Sequence, residues 1–138
     1  NLGSTLLSMG KLDEAEISLR QAISFNPDYA VAFNNLGVTL KKLGRLREAD
    51  ATFRQAIALK SDFSEAHSNL GFTLKDLGML DEAEERHRIA INLQLDSGNS
   101  NVGLGNVLLS KGKHKEGIDQ LRIGNGSIFF DIDDWVIL

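Results

Sequence analysis

The sequence repeats itself every 34 residues. Gly3, Gly37, Gly71 and Gly105 stand 34 apart, and so do Gly10, Gly44, Gly78 and Gly112. Leu2, Leu36, Leu70 and Leu104 keep the same step, as do Leu6, Leu40, Leu74 and Leu108. Ala15, Ala49 and Ala83 form another ladder, as do Ala22, Ala56 and Ala90, Ile23, Ile57 and Ile91, and Glu14, Glu48, Glu82 and Glu116. A fixed period over the length of a chain restricts it to a stack of similar units, each burying its apolar face against its neighbours.

Within a unit the apolar residues follow helical spacing. Phe33, Leu36, Leu40 and Leu43 share one helix face, and Leu46, Ala49, Phe53, Ala56 and Ile57 share another after Gly44. Each unit therefore reads as two amphipathic helices joined by a tight turn. Gly10, Gly44, Gly78 and Gly112 fall where the first helix must stop, in the left-handed position that closes a helix C-terminus. Gly3, Gly37, Gly71 and Gly105 fall inside the first helix, where the missing side chain admits a close neighbour, with Ala15, Ala49 and Ala83 expected opposite. Asp28, Asp62 and Asp96 are expected to cap the first helices, Asp62 with Glu65 as a capping box. The Glu ladder lies in the first turn of each second helix, where negative charge suits the helix dipole. Pro27 breaks the helix before Asp28.

These residues resemble the tetratricopeptide repeat (TPR) family. The match reads Phe33-x2-Leu36-Gly37-x2-Leu40, then Gly44, Ala49, Phe53 and Ala56, with Pro27 at the closing position. The resemblance covers residues 1 to about 123. It implies an all-α TPR solenoid of about three and a half repeats, a right-handed superhelix of antiparallel helix pairs with a concave, ligand-facing groove lined mainly by first helices. The expected repeats run over about 1–28, 29–62, 63–96 and 97–123, and 124–138 is an extended tail, a cap or the start of a following domain. Asn1 falls at the sixth position of a repeat with no initiator Met before it, so the chain is expected to be a fragment of a longer protein.

By the family's geometry the groove candidates are Asn1, Asn34, Asn35, Val38, Lys41, Lys42, Glu65, Asn69, Phe72, Lys75, Asp76 and Asn106. Asn1, Asn35 and Asn69 stand 34 apart, and the ladder fails at Gly103. They resemble the asparagine ladders of O-GlcNAc-transferase-type TPR arrays, whose amides grip the backbone of an extended peptide. An amide donates and accepts at once, so it matches a peptide unit without reading side chains. The plainer reading is that these asparagines bond neighbouring helices. Lys41 and Lys75, also 34 apart, suit acidic peptides or the dipole at a helix end. Val38 and Phe72 suit an apolar ligand side chain. The resemblance also argues against a chaperone carboxylate clamp, because Val38, Glu65 and Asn69 occupy positions where such clamps carry asparagine or basic residues.

Composition narrows the function. The net charge is -4, from 15 basic and 19 acidic residues, which has the wrong sign for a nucleic-acid binder. No apolar run reaches the roughly 18 residues needed to cross a membrane. There is no Cys, hence no disulfide, thiol nucleophile or Cys-ligated zinc. His67, His87 and His114 lack metal-ligand spacing; His67 and His87 take packing positions, and no cofactor or metal is expected. A cytoplasmic location is the working expectation. Gly117 and Gly124 replace packing alanines in a decaying fourth repeat whose second helix should be the least stable. Gly124-Asn125-Gly126 reads as a turn, and Ser127–Leu138 as extended chain, with Asp131-Ile132-Asp133 an acidic turn rather than a metal motif.

The function these features favour is a non-enzymatic protein–protein interaction scaffold that binds an extended peptide or partner helix in the groove. The alternative is the substrate-recruiting TPR arm of a larger enzyme such as a glycosyltransferase, sulfotransferase or oxygenase. Self-association through exposed repeat ends is a third expectation.

Overall fold

The computed structural model describes residues 11–94 and 98–126. Over them it contains seven α-helices: α1 (Leu12–Phe25), α2 (Ala30–Lys42), α3 (Leu46–Leu59), α4 (Ser64–Asp76), α5 (Leu80–Leu93), α6 (Gly98–Ser110) and α7 (His114–Gly124). Gly3, Gly10, Asn1, Asp96 and the tail from Ser127 lie outside the described residues, so the expectations placed on them are not addressed. α2 pairs with α3, α4 with α5 and α6 with α7, and each second helix also packs on the first helix of the next pair. No strand occurs among the described residues.

Three identical turns join the pairs. Gly44, Gly78 and Gly112 have φ of 81°, 80° and 82°, the left-handed region that costs a side-chain-bearing residue energy. In the first, Gly44 N–H donates to the Lys41 carbonyl at 3.0 Å and Arg45 N–H to the Leu40 carbonyl at 2.9 Å. Gly78 with Met79, and Gly112 with Lys113, repeat this crossed pair of bonds, so the last carbonyls of each first helix are satisfied as the chain reverses.

The other end of the first helices departs from expectation. The residues before α2 and α4 are Tyr29 and Phe63, and neither helix has a side-chain cap. Asp28 and Asp62 sit one residue too early, so the capping box with Glu65 does not form. Backbone does the work instead: Tyr29 accepts from Ala32 and Phe33, and its own N–H donates to Asn26. Tyr29 packs partly buried against the core, which an aspartate there would not do.

The core is a row of interlocking side chains: Leu19, Leu40, Phe53, Leu70, Leu74, Leu104 and Leu108 are all at most 1% exposed. The first-helix glycines are indeed contact points, but their nearest neighbours are not alanines. A Cβ built at Gly37 would lie 2.5 Å from the Phe53 ring, and one at Gly71 would lie 2.6 Å from His87 Nε2. At Gly105 it would meet Leu121 at 2.7 Å and the Gly117 carbonyl at 2.8 Å. The partner is thus the large side chain one turn beyond the expected alanine. In the fourth unit Gly117 and Gly124 are contacts as well. A Cβ at Gly124 would lie 2.7 Å from the Gly98 carbonyl, and one at Gly117 2.9 Å from that of Gly105. These glycines let α7 lie backbone to backbone on α6, and Gly124 ends the helix, with the expected turn following at Asn125 and Gly126.

His87 explains why the asparagine ladder stops. Its ring is 0% exposed and wedged between two first helices. A Cβ at Gly103 would lie 2.2 Å from His87 Cε1, while Gly71 closes the other side. The ring cannot yield towards either helix, so no side chain fits at residue 103. Gly103→Ala should therefore destabilise the protein by about 1–3 kcal/mol despite alanine's better helix propensity. Chemical denaturation of Gly103→Ala, His87→Ala and the double variant tests this. The double variant should cost clearly less than the sum, and strict additivity would show that the two positions do not collide.

Candidate peptide-binding groove

The inner wall follows from which helices approach one another. α2 touches α4 and α4 touches α6, whereas no Cα of α3 comes within 8 Å of one in α5, nor α5 of α7. The stack therefore curves with the first helices inside and the second helices outside. Inner and outer faces differ sharply in chemistry.

The outer face carries an ion-pair ladder in the register of the repeat. Arg54 pairs with Asp50 on its own helix at 2.6 Å and with Glu82 of the next second helix at 2.7 Å. Arg88 likewise joins Glu84 at 3.1 Å to Glu116 at 2.9 Å. Arg20 joins Glu16 at 3.0 Å to Glu48 at 3.8 Å, with Arg45 bridging the same two carboxylates. Long guanidinium side chains thus span the gap that curvature opens between second helices. The Glu ladder expected to serve the dipole has this second role, which the matching steps of Arg20, Arg54 and Arg88 could have revealed. Half-exposed pairs of this kind each contribute about 0–1 kcal/mol.

Of the expected groove residues, α2 carries Asn35, Val38, Lys41 and Lys42, α4 carries Glu65, Asn69, Phe72, Lys75 and Asp76, and α6 carries Asn106. Asn35, Val38, Lys41, Asn69, Phe72, Lys75 and Asn106 are half-buried; Lys42, Glu65 and Asp76 are exposed. Asn34 is different: it is 1% exposed and its Oδ1 accepts from Asn69 Nδ2 at 3.0 Å. It cannot itself present a surface to a ligand, and it serves to fix the Asn69 amide across the α2–α4 contact. That bond is of the interhelical kind the plainer reading anticipates.

Lys41, Phe72 and His87 form a stack that sequence spacing did not suggest. Lys41 Nζ lies 5.1 Å from the centre of the Phe72 ring. His87 meets the same ring from the interior, edge to face, at 4.8 Å and 77°. Burial lowers the Lys41 pKa, Asp76 raises it, and the neighbouring Lys75 charge lowers it again. Burial, and then the Lys41 charge, push His87 down to about 4. Neither His87 ring nitrogen has a hydrogen-bond partner in the structure. Burial also lowers His67, whose Nε2 is 2.9 Å from the Ser61 carbonyl. No group of His, Asp or Glu side chains able to hold a metal occurs among the described residues. A recess of about 410 Å³ lies between α5, α6 and α7, lined by Arg88, Ile91, Asn101, Leu104, Gln120 and Ile123, away from these inner-wall residues.

A helical-repeat solenoid with a mixed polar and apolar inner wall is the class of protein that this fold and groove define. Family models described as "TPR repeat" and "Tetratricopeptide repeat" match residues 3–44 and 30–63. The two matches together span residues 3–63, and the solved structures below share the solenoid fold. A crystal structure of MamA has a TM-score of 0.81 at 22% identity, covering 91% of this chain and 73% of that one. MamA 41-end from Desulfovibrio magneticus RS-1 has a TM-score of 0.80 at 18% identity, covering 90% and 70%. The first TPR of Spaghetti (RPAP3), bound to the HSP90 peptide SRMEEVD, has a TM-score of 0.77 at 21% identity, covering 80% and 87%. At these identities the likeness establishes the fold. No curated protein sequence matches the chain. No described helix is long and apolar enough to cross a membrane.

The buried histidine sets a pH dependence. His87 titrates near 6.5 when unfolded and at about 4 when folded, so the unfolded chain binds the extra proton in between. The stability tied to its neutral ring is complete above about pH 6.5 and is lost as pH falls towards 4, a total of about 3 kcal/mol. His67 adds in the same direction. Urea melts from pH 7.5 to 4.5 should show this slope, and His87→Phe should flatten it; an unchanged slope in that variant would place the acid sensitivity elsewhere.

Proposed function

We propose that the protein is a protein–protein interaction scaffold that holds an extended peptide along its inner wall, with Asn35 and Asn69 gripping the peptide backbone. The observation that carries this reading is the register of these two amides. They stand one repeat apart on successive first helices, α2 and α4, both partly open to solvent. An amide can pair with a peptide N–H and C=O together, so two of them bind main chain with little regard for sequence. The bond from Asn34 restricts how the Asn69 amide can turn, which lowers the ordering cost on binding. Val38 and Phe72 give the same wall apolar area for side chains. Support also comes from the RPAP3 structure, where a TPR array of this fold holds a peptide. The similarity of the asparagine step to O-GlcNAc-transferase-type arrays fits the same mode of grip.

Replacing both Asn35 and Asn69 by Ala should weaken peptide capture about tenfold or more while leaving helicity unchanged, since each lost amide contact contributes roughly 0.5–1.5 kcal/mol. Affinity selection from a random peptide library, followed by titration of the recovered peptides against both proteins, measures it. Equal affinities for parent and variant, with intact circular dichroism, would reject the inner wall as the binding surface.

A further inference from the structure

We propose that the segment bound on the inner wall carries an acidic side chain beside an apolar one, the carboxylate meeting Lys41 and Lys75 and the apolar side chain lying on Val38 and Phe72. This rests on the reading of the inner wall as a peptide groove and adds the chemistry of its occupant.

The first observation is how charge is sorted between the two faces. Arg20, Arg45, Arg54, Arg86, Arg88, Lys111 and Lys113 each hold an ion pair. All belong to second helices or to the turns leading into them. The basic residues of the first helices are Lys41, Lys42 and Lys75, and none of them has a carboxylate within ion-pair distance. Most second-helix cations are thus neutralised by neighbouring carboxylates, Arg47 and Lys115 excepted, whereas no lysine of the first helices is.

The second observation is the setting of Lys41. A lysine in the last turn of a helix suits the dipole, but exposed Lys42 does that without being drawn onto a ring. Lys41 is instead half-buried with its ammonium over Phe72. The charged groups facing it are Lys75 and Asp76 on α4, Lys42 on its own helix and, behind Phe72, the neutral His87 of α5. An ammonium that has lost water and has a like charge nearby gains from an incoming carboxylate, which also draws its pKa back up. Phe72, backed by His87, is a fixed apolar floor beside that carboxylate. Exposed Glu65 lies ten residues earlier on α4, about 15 Å along the helix, and repels acid there. Lys41, Lys42 and Lys75 draw the acidic residue to the end of the groove where the first helices finish, with Asp76 offsetting part of their charge. This differs from capture of a chain terminus, because the group recognised is a side chain.

The test uses three labelled peptides, Gly-Leu-Asp-Leu-Asp-Leu-Gly and its Asn and Lys counterparts, each acetylated and amidated so that no terminal charge remains. Fluorescence anisotropy titrations compare the full chain with Lys41→Met/Lys75→Met, Lys41→Arg/Lys75→Arg and Asn35→Ala/Asn69→Ala. The Asp peptide is expected to bind about tenfold or more tightly than the Asn peptide, with the Lys peptide weakest. The Met variant should erase that preference and leave the Asn peptide's affinity unchanged, while the Arg variant keeps it. Equal affinity for the Asp and Asn peptides, or a preference that survives in the Met variant, overturns the proposal. If Asn35→Ala/Asn69→Ala weakens both peptides equally with no acid preference, the groove stands and its proposed occupant falls. If that variant weakens neither, the groove itself is misplaced.

Discussion

One contact recurs along the array and fixes its geometry: a large side chain of each second helix pressed against a glycine of the first. Phe53 on Gly37, His87 on Gly71 and Leu121 on Gly105 are the same joint with three different residues. The glycine sets how closely the helices of a pair approach, and the knob sets their register. Helix propensity opposes a glycine there by about 1 kcal/mol, and the burial of a Phe or Leu side chain offsets it with roughly 1.5–3 kcal/mol. Once that distance is fixed, the inner and outer faces follow, because the next pair can stack only on what the joint leaves exposed.

The second joint is the unusual one. Phenylalanine or leucine fills the slot with apolar surface alone, whereas His87 brings two nitrogens that find no partner. It also reaches further, to Gly103 on one side and Phe72 on the other. The same residue ends the asparagine ladder and supports the ring beneath Lys41. Packing and the candidate site are therefore not separable at α5, although they are at α3.

Much of this was legible in the sequence, and the limits are instructive. The period gave the helix pairs, and Gly44, Gly78 and Gly112 gave the turns, because a left-handed backbone leaves a clear residue preference. The role of Gly37 as a contact point was legible; its partner was not, since choosing Phe53 over Ala49 depends on how far a helix is rotated about its axis. The aspartate caps failed because Asp28 and Asp62 fall one residue before the helix entry positions, which Tyr29 and Phe63 occupy, Tyr29 packing on the core. Gly117 and Gly124 looked like decay because a missing side chain reads as lost packing until the backbone opposite is known. On the inner wall, the step of 34 identified Asn35 and Asn69, but burial separates Asn34 from them, and no period reveals burial. The Lys41–Phe72–His87 stack joins three helices and has no counterpart in the other repeats, so repetition could not announce it.

The outer ion pairs have a mechanical consequence. Tightening the curve of the array around an object in the groove draws the second helices apart, and flattening it brings them together. Each Arg–Glu bridge spans that variable gap with a side chain of fixed reach. Arg54–Glu82 and Arg88–Glu116 are already close, at 2.7 and 2.9 Å, while Arg20–Glu48 is at 3.8 Å. With Arg45–Glu16 at 3.0 Å closing the first gap as well, the ladder is a set of check-straps that resist closure at each step of the array. Because salt screens exposed charges, the breadth of the groove becomes a property of the ionic medium as well as of the fold.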